Sequence, residues 1–151
     1  MESLEKAGLA IDYNKVKETK PPTLPSRVFI WDETLRDGEQ TPGVVLSMDE
    51  KIEIAKLLDD IGVSIVVVGY PAVSEREKET VSAIAREGLS RAVVGAPARA
   101  VISDIDACIE ADVQEVPIFI PTTDFRLKYQ LRMTREEVLE RLSECVTYAK
   151  E

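Results

Sequence analysis

Four strand-like runs, each followed by a helix-like run, recur at about 25 to 30 residues per repeat, and this spacing restricts the chain to parallel strands joined by right-handed crossovers. The strand-like runs are Val28-Phe29-Ile30-Trp31, Ser64 to Val68, Arg91 to Gly95 and Val116 to Ile120. They are rich in β-branched residues and lack apolar/polar alternation, as in strands covered on both faces. Ser47-Met48-Asp49-Glu50 reads as a capping box, followed by Ile54, Leu57, Leu58 and Ile61 at helical spacing and by Gly62 as a stop. Ser74-Glu75-Arg76-Glu77 opens a second helix with Val81, Ile84 and Ala85 on its apolar face and Gly88 at its end. Ser103 or Asp104 is expected to open a third, carrying Ile105, Cys108 and Ile109, and Thr134-Arg135-Glu136-Glu137 to cap the last. The predicted fold class is α/β, with about four parallel (βα) units.

A chain of 151 residues makes one domain, whereas a closed barrel of eight such units takes about 250. The expectation is therefore half of a TIM (β/α)8 barrel over residues 27–151, preceded by an extended arm over 1–26 that is rich in Lys and carries Pro21, Pro22 and Pro25. Asp and Glu total 28 against 19 Lys and Arg, a formal net charge of −9, which argues against nucleic acid as a partner. No apolar run approaches the ~20 residues of a membrane span, and Met1 to Lys20 lacks the apolar core of a secretory signal. A cytoplasmic protein is expected. Cys108 and Cys145 lie alone in predicted helices and read as core fillers.

The densest chemistry lies in Asp32-Glu33-Thr34-Leu35-Arg36-Asp37-Gly38-Glu39-Gln40, directly after the first strand-like run. In parallel barrels that is where active sites sit. Asp32, Asp37 and Glu39 offer hard oxygen ligands for a divalent cation, Arg36 a planar fork for a carboxylate or an enolate oxygen, and Gly38 a sharp turn beside them. An ordinary solvated loop with an internal Arg–Asp pair is the competing reading.

The order Asp32-x-Thr34-Leu35-Arg36-Asp37-Gly38-x-Gln40 closely resembles the D-x-T-L-R-D-G-x-Q motif on the opening strand of the metal-dependent acyl-CoA condensing enzymes. These are the isopropylmalate, homocitrate and citramalate synthases, with 3-hydroxy-3-methylglutaryl-CoA lyase as a more distant relative. The resemblance continues through Gly69 to Ser74, Ala98-Arg99-Ala100, Ile118 to Asp124 and Leu131 to Val138. It implies an acyltransferase that joins an acyl-CoA such as acetyl-CoA to a 2-oxo acid by Claisen condensation, using Mg, Mn or Zn. It further implies Asp37 as a metal ligand, Arg36 as the stabiliser of negative charge, Gln40 as a substrate contact, and Thr122 and Thr123 as hydroxyl donors to the oxo acid's carboxylate.

Three departures qualify that picture. The family completes its metal site with an H-x-H pair on a later strand, and this sequence has no histidine, so metal binding by this chain is expected to be weak or absent. The family's Ile-Glu-x-Gly on the second strand is replaced by Val66-Val67-Val68-Gly69, with Val67 in the glutamate's place. Pro117 and Arg126 stand where many synthases carry histidines. A fragment or subunit inactive alone, truncated after Glu151, is the expectation, and a non-catalytic half-barrel acting in association or regulation is the alternative. Four strands cannot close a barrel, so unpaired edges predict a homo-oligomer.

Overall fold

The computed structural model describes residues 26–151; the arm expected over 1–26 lies outside the described residues, apart from Ser26. In chain order the elements are β1 (Trp31–Asp32), α1 (Met48–Asp60), β2 (Ile65–Val67), α2 (Glu75–Glu87), β3 (Val93–Gly95), β4 (Ala98–Arg99), α3 (Ile102–Glu110), β5 (Ile118–Phe119), α4 (Asp124–Arg126) and α5 (Arg135–Tyr148). Short 3-10 turns occupy Gly38–Gln40 and Pro71–Val73, and α4 runs into a π-helical turn at Leu127–Leu131.

All strand pairs are parallel. Strands β1, β2 and β3 lie side by side in that order, with Trp31 opposite Ile65 and Val67 opposite Gly95. Strands β4 and β5 form a second pair, Ala98 opposite Ile118 and Arg99 opposite Phe119, and a bridge between Gly95 and Glu115 joins the two. The third strand-like run is thus longer than Arg91 to Gly95 and is split in two around Pro97, which has no N–H to offer a neighbour. The ladder to the last strand carries on across the break, with Ala96 N donating to Glu115 O at 3.0 Å and Ala98 N to Pro117 O at 3.1 Å. The α/β class and the four parallel units hold.

The core lies between this sheet and the helices. Val66, Val68, Val94, Ala96 and Ala98 meet Ala55, Val81, Ile84, Ile105 and Cys108 there. Both cysteines are buried, and burial pushes the Cys108 thiol up to about 12, as suits a packing residue. The first strand-like run departs from its expected burial: Val28 and Phe29 are 70% and 62% exposed. Among the described residues β1 is the outer strand of its sheet, so nothing there covers the apolar side chains that lead into it.

Helix α1 has the expected capping box, with Glu50 N donating to Ser47 Oγ and Ser47 N to the Glu50 carboxylate. Its buried stripe, however, is Lys51, Ala55 and Asp59, flanked by Ile54 and Leu58, while the expected apolar residues Leu57 and Ile61 are exposed. The helix is rotated so that two buried charges reach polar partners. Gly62, at φ +88°, accepts the left-handed backbone that ends it. The Asp59 carboxylate accepts from the backbone N–H groups of Ala92, Ser90 and Arg91 at 2.6, 2.7 and 2.8 Å, fixing the approach to β3. The third helix starts differently from expectation. Val101 is its N-cap without a side-chain bond, because Asp104 turns to other partners and Ser103 makes no cap.

Burial opposes ionisation of Asp59, but the N–H groups of Ala92, Ser90 and Arg91 outweigh it and hold its pKa below the ordinary value. A depressed carboxylate contributes stability above its unfolded pKa of about 3.9 and loses it as pH falls through the lower folded value. Replacing Asp59→Ala is expected to cost about 3 kcal/mol at neutral pH, by urea titration, with the difference from the parent chain shrinking below about pH 4. A pH-independent difference would count against the ionised, triply bonded carboxylate.

Candidate active site at the C-terminal ends of the strands

The segment after β1 closes on itself through its backbone: Glu33 O accepts from the N–H groups of Arg36, Asp37 and Gly38 at 3.1, 2.8 and 3.1 Å. This tight turn leads into the 3-10 turn and holds Arg36 beyond the strand end. Gly38 is not required for it, since Gly38 is not among the positive-φ glycines and an added Cβ would meet only Thr34 at an ordinary 3.7 Å.

The three acidic candidates diverge. Both oxygens of Asp32 are taken by Thr34, from its N–H at 2.9 Å and its hydroxyl at 3.1 Å. Glu39 accepts from Leu46 N at 3.1 Å and pairs with Lys51 Nζ at 2.6 Å. Asp37 remains beside Arg36, whose Nη1 lies 2.5 Å from its Oδ1 while Nε binds Glu33 at 2.8 Å. Among the described residues no three His, Cys, Asp or Glu side chains converge as a metal site. Asp32 and Glu39 each already accept bonds from within the fold, and Asp37 pairs with Arg36. This donor set does not fit a bound divalent ion by itself.

What does converge is a charge cluster that local sequence reading missed. Lys51, only 2% exposed, sits between Glu39 and Glu77, with Nζ at 3.1 and 3.2 Å from the two Glu77 oxygens. Burial pushes the Glu39 carboxyl up, but the Lys51 ammonium and the Leu46 N–H more than offset this and hold it below the usual range. Glu77 Oε1 also accepts from Tyr70 N at 3.2 Å. Helix α2 therefore lacks a full capping box: Ser74 Oγ accepts from Glu77 N, but the Glu77 carboxylate is drawn to Lys51 and Tyr70 instead of returning to Ser74. A Cβ on Gly69 would collide with that carboxylate and with Val81, so Glu77 reaches the sheet only because residue 69 has no side chain.

The cluster shapes a cleft of about 250 Å³ lined by Arg36, Glu39, Gln40, Tyr70, Ser74 and Glu77. Arg36 and Gln40 are thus brought together as expected. Thr122 and Thr123 are not among its lining residues; they follow β5, are exposed, and Thr123 stands at the N-cap of α4 without a side-chain bond. Val67 is fully buried, on the same face of β2 as Ile65 and away from the helices. On the other side of Tyr70, its hydroxyl donates to Asp104 at 2.7 Å, and Asp104 holds Arg99 through Nε at 2.7 Å and Nη2 at 2.8 Å. Burial and the Asp104 charge raise the Tyr70 phenol to about 12, so it is a fixed donor. The one sequence signal for Lys51 is its place on the stripe of Ala55 and Asp59; Asp104 and Tyr70 carried none, being 34 residues apart.

The model of the HMGL-like family matches residues 27–151. The chain belongs to the HMGL-like family. It is 54% identical over 128 residues to a probable 2-isopropylmalate synthase of Methanopyrus kandleri, covering 85% of this chain and 26% of that protein. From the same organism, homocitrate synthase AksA is 49% identical over 85% of this chain and 32% of its own length, and a putative (R)-citramalate synthase CimA is 50% identical over 84% and 25%. The chain thus spans about a quarter to a third of the length of these HMGL-like relatives. The crystal structure of Bacillus subtilis HMG-CoA lyase superimposes with a TM-score of 0.64 at 19% identity, over 83% of this chain and 43% of that one. That likeness shows the fold: these are four βα units of the HMGL-like TIM barrel.

Removing Lys51 strands two carboxylates against each other at the edge of the core. Lys51→Met is expected to destabilise the chain by about 3–5 kcal/mol, and the triple variant with Glu39→Gln and Glu77→Gln to recover most of the loss, because no uncompensated charge remains. Equilibrium urea denaturation of the three proteins measures both values; a single variant as stable as the parent would show that the cluster is not what holds the motif segment to α1 and α2.

Proposed function

We propose that residues 27–151 are the first half-barrel domain of a condensing enzyme of the alkylmalate or homocitrate synthase type, which adds an acyl-CoA, with acetyl-CoA as the model donor, to a 2-oxo acid. The observation that carries this reading is that Arg36 and Gln40 line one cleft at the C-terminal ends of the strands, in a chain about half identical over its matched length to such synthases. In the reaction a base takes a proton from the acyl methyl carbon, the resulting enolate carbon attacks the keto carbon of the oxo acid, and hydrolysis of the thioester releases the CoA thiol. Arg36, held by Glu33 and Asp37, supplies a fixed guanidinium for the oxygen on which negative charge develops. Gln40 contacts the substrate, and Thr122 and Thr123 offer hydroxyls to the oxo acid's carboxylate once a ligand spans the strand ends.

A divalent ion (Mg, Mn or Zn) belongs to the reading of the whole enzyme, with Asp37 as one ligand. The described residues do not complete its donor set, and no step is assigned to it. The protein is proposed to work in the cytoplasm; among the described residues no helix is long and apolar enough to cross a membrane. It is also proposed to self-associate, covering exposed apolar residues at both sheet edges, Val28 and Phe29 beside β1 and Phe119 on β5. Val67, apolar and fully buried where the family's glutamate would stand, favours a second reading as a non-catalytic half-barrel.

Two measurements separate these readings. Given acetyl-CoA and a panel of 2-oxo acids, the chain alone is expected to release no thiol, whereas a chimera in which residues 27–151 replace the matched part of the Methanopyrus kandleri 2-isopropylmalate synthase should turn over, and Arg36→Ala in it should lower kcat by about 10²–10³. A folded chimera without activity, rescued by Val67→Glu, would favour the non-catalytic reading. In calorimetry the isolated chain should bind Mn²⁺ or Zn²⁺ more weakly than about 1 μM; a tighter stoichiometric site abolished by Asp37→Ala would mean that another ligand set exists.

A further inference from the structure

Both open ends of the structure are apolar, in the helix layer as well as in the sheet. Among the described residues β1 and β5 are the outer strands, with Val28, Phe29 and Trp31 exposed at one end and Phe119 at the other. On α1, Lys56 reaches Glu87 of α2, which marks the side that meets its neighbour. Leu57 and Ile61 lie on the opposite side, 57% and 77% exposed. On α5, the Tyr148 hydroxyl donates to Asp106 of α3 at 2.6 Å, and this again marks the inner side. Leu139 and Val146, about two turns apart and each one position on from buried Val138 and Cys145, form a stripe on the other side, 67% and 37% exposed.

The charges at the two ends are opposite where the strands finish. Asp32, Glu33 and Asp37 follow β1 and outnumber Arg36. Arg126, Lys128 and Arg132 follow β5, all exposed, with no acidic residue between Phe125 and Arg135. Four βα units are half of the eight in a closed barrel. A two-fold axis along the barrel axis sets β5 of each copy beside β1 of the other, still parallel, and α5 beside α1. Leu139 and Val146 then meet the partner's Leu57 and Ile61, Phe119 comes beside the partner's first strand, and the basic turn after β5 lies against the acidic segment after β1. Each contact occurs twice, as a two-fold requires, and no edge is left open. Pairing β1 with β1 instead would leave β5, Leu139 and Val146 uncovered.

From this match of apolar stripes and of charge we infer that a second copy of this chain occupies both edges, the two copies closing one eight-stranded barrel in which each Arg36–Gln40 cleft is walled in part by the partner's basic turn. The inference rests on the self-association proposed above and fixes its geometry; it makes no use of the condensing reaction.

The single tryptophan, Trp31, lies on β1 at the edge that closure covers, and its emission reports the contact. Sedimentation velocity of the full chain is expected to show a dimer at about 100 μM, and Trp31 emission to move to the red on dilution with the same midpoint. Added salt should weaken the dimer, because the turn-to-segment contact is electrostatic. Ile61→Lys and Leu139→Lys change exposed positions and so leave the fold intact; each should weaken association at least about a hundredfold, since each contact is made twice. Ile61 and Val146 stand near the ends of helices that start at the same end of the sheet, and so at the same level. With a short bifunctional thiol reagent, mixed Ile61→Cys and Val146→Cys chains should join 61 to 146 and neither variant alone should cross-link, Cys108 and Cys145 being buried. A stable monomer at about 100 μM would leave the edges to another polypeptide and sink both the self-association and its geometry. A dimer that joins 61 to 61 and not 61 to 146, a dimer that keeps its affinity in both lysine variants, or growth into larger open assemblies would overturn closure alone.

Discussion

The contact on which the rest of this site depends is the buried Lys51 ammonium between the carboxylates of Glu39 and Glu77. It ties together three pieces of chain: the motif segment after β1, helix α1, and the start of helix α2. An ion pair of this kind is weak evidence for net stability, since desolvation consumes much of what attraction supplies. Its value lies in geometry, because a cation with two anionic neighbours and an anion that also takes a backbone N–H leaves few alternative arrangements. Arg36 and Gln40 face the same cleft as Tyr70 because the backbone carrying them is pinned at Glu39.

How far the sequence revealed this depended on the range of each interaction. The capping boxes at Ser47 and Thr134 were legible because both partners lie within one turn. So were the four parallel units, which rest on spacing alone. Ser74 caps its helix as expected, but nothing local reveals that the Glu77 carboxylate is claimed by Lys51, 26 residues away. Nor does the sequence reveal that Asp104, expected with Ser103 as a helix cap, bonds Arg99 and Tyr70, or that Asp32 and Glu39 accept the bonds of Thr34, Leu46 and Lys51: composition shows where oxygens are, not which bonds they already accept. The first strand's exposure was misread for a related reason, since a β-branched run signals a strand but not which neighbours the sheet provides.

Within the HMGL-like frame, the chain carries a dense polar segment after its first strand and an apolar run on its second. At position 67 an apolar residue is fully buried, yet the carboxylate count around the cleft is not low, because Glu39 and Glu77 both line it. Both are bound to Lys51 and are poor candidates for free bases. The cleft therefore presents a fixed cation in Arg36, an amide in Gln40 and a phenol held protonated by burial and by Asp104, a set suited to binding and stabilising an anion rather than to taking a proton.

The absent side chain at Gly69 binds two positions into one unit of variation. The Glu77 carboxylate occupies the space that any Cβ at 69 would need, so a larger residue at 69 is excluded while glutamate remains at 77. A shorter residue at 77 would lift that exclusion but unpair Lys51 on one side. The consequence of a change at 69 is thus set by the residue at 77. Such a dependence constrains position 69 through its neighbour even where neither residue touches a substrate.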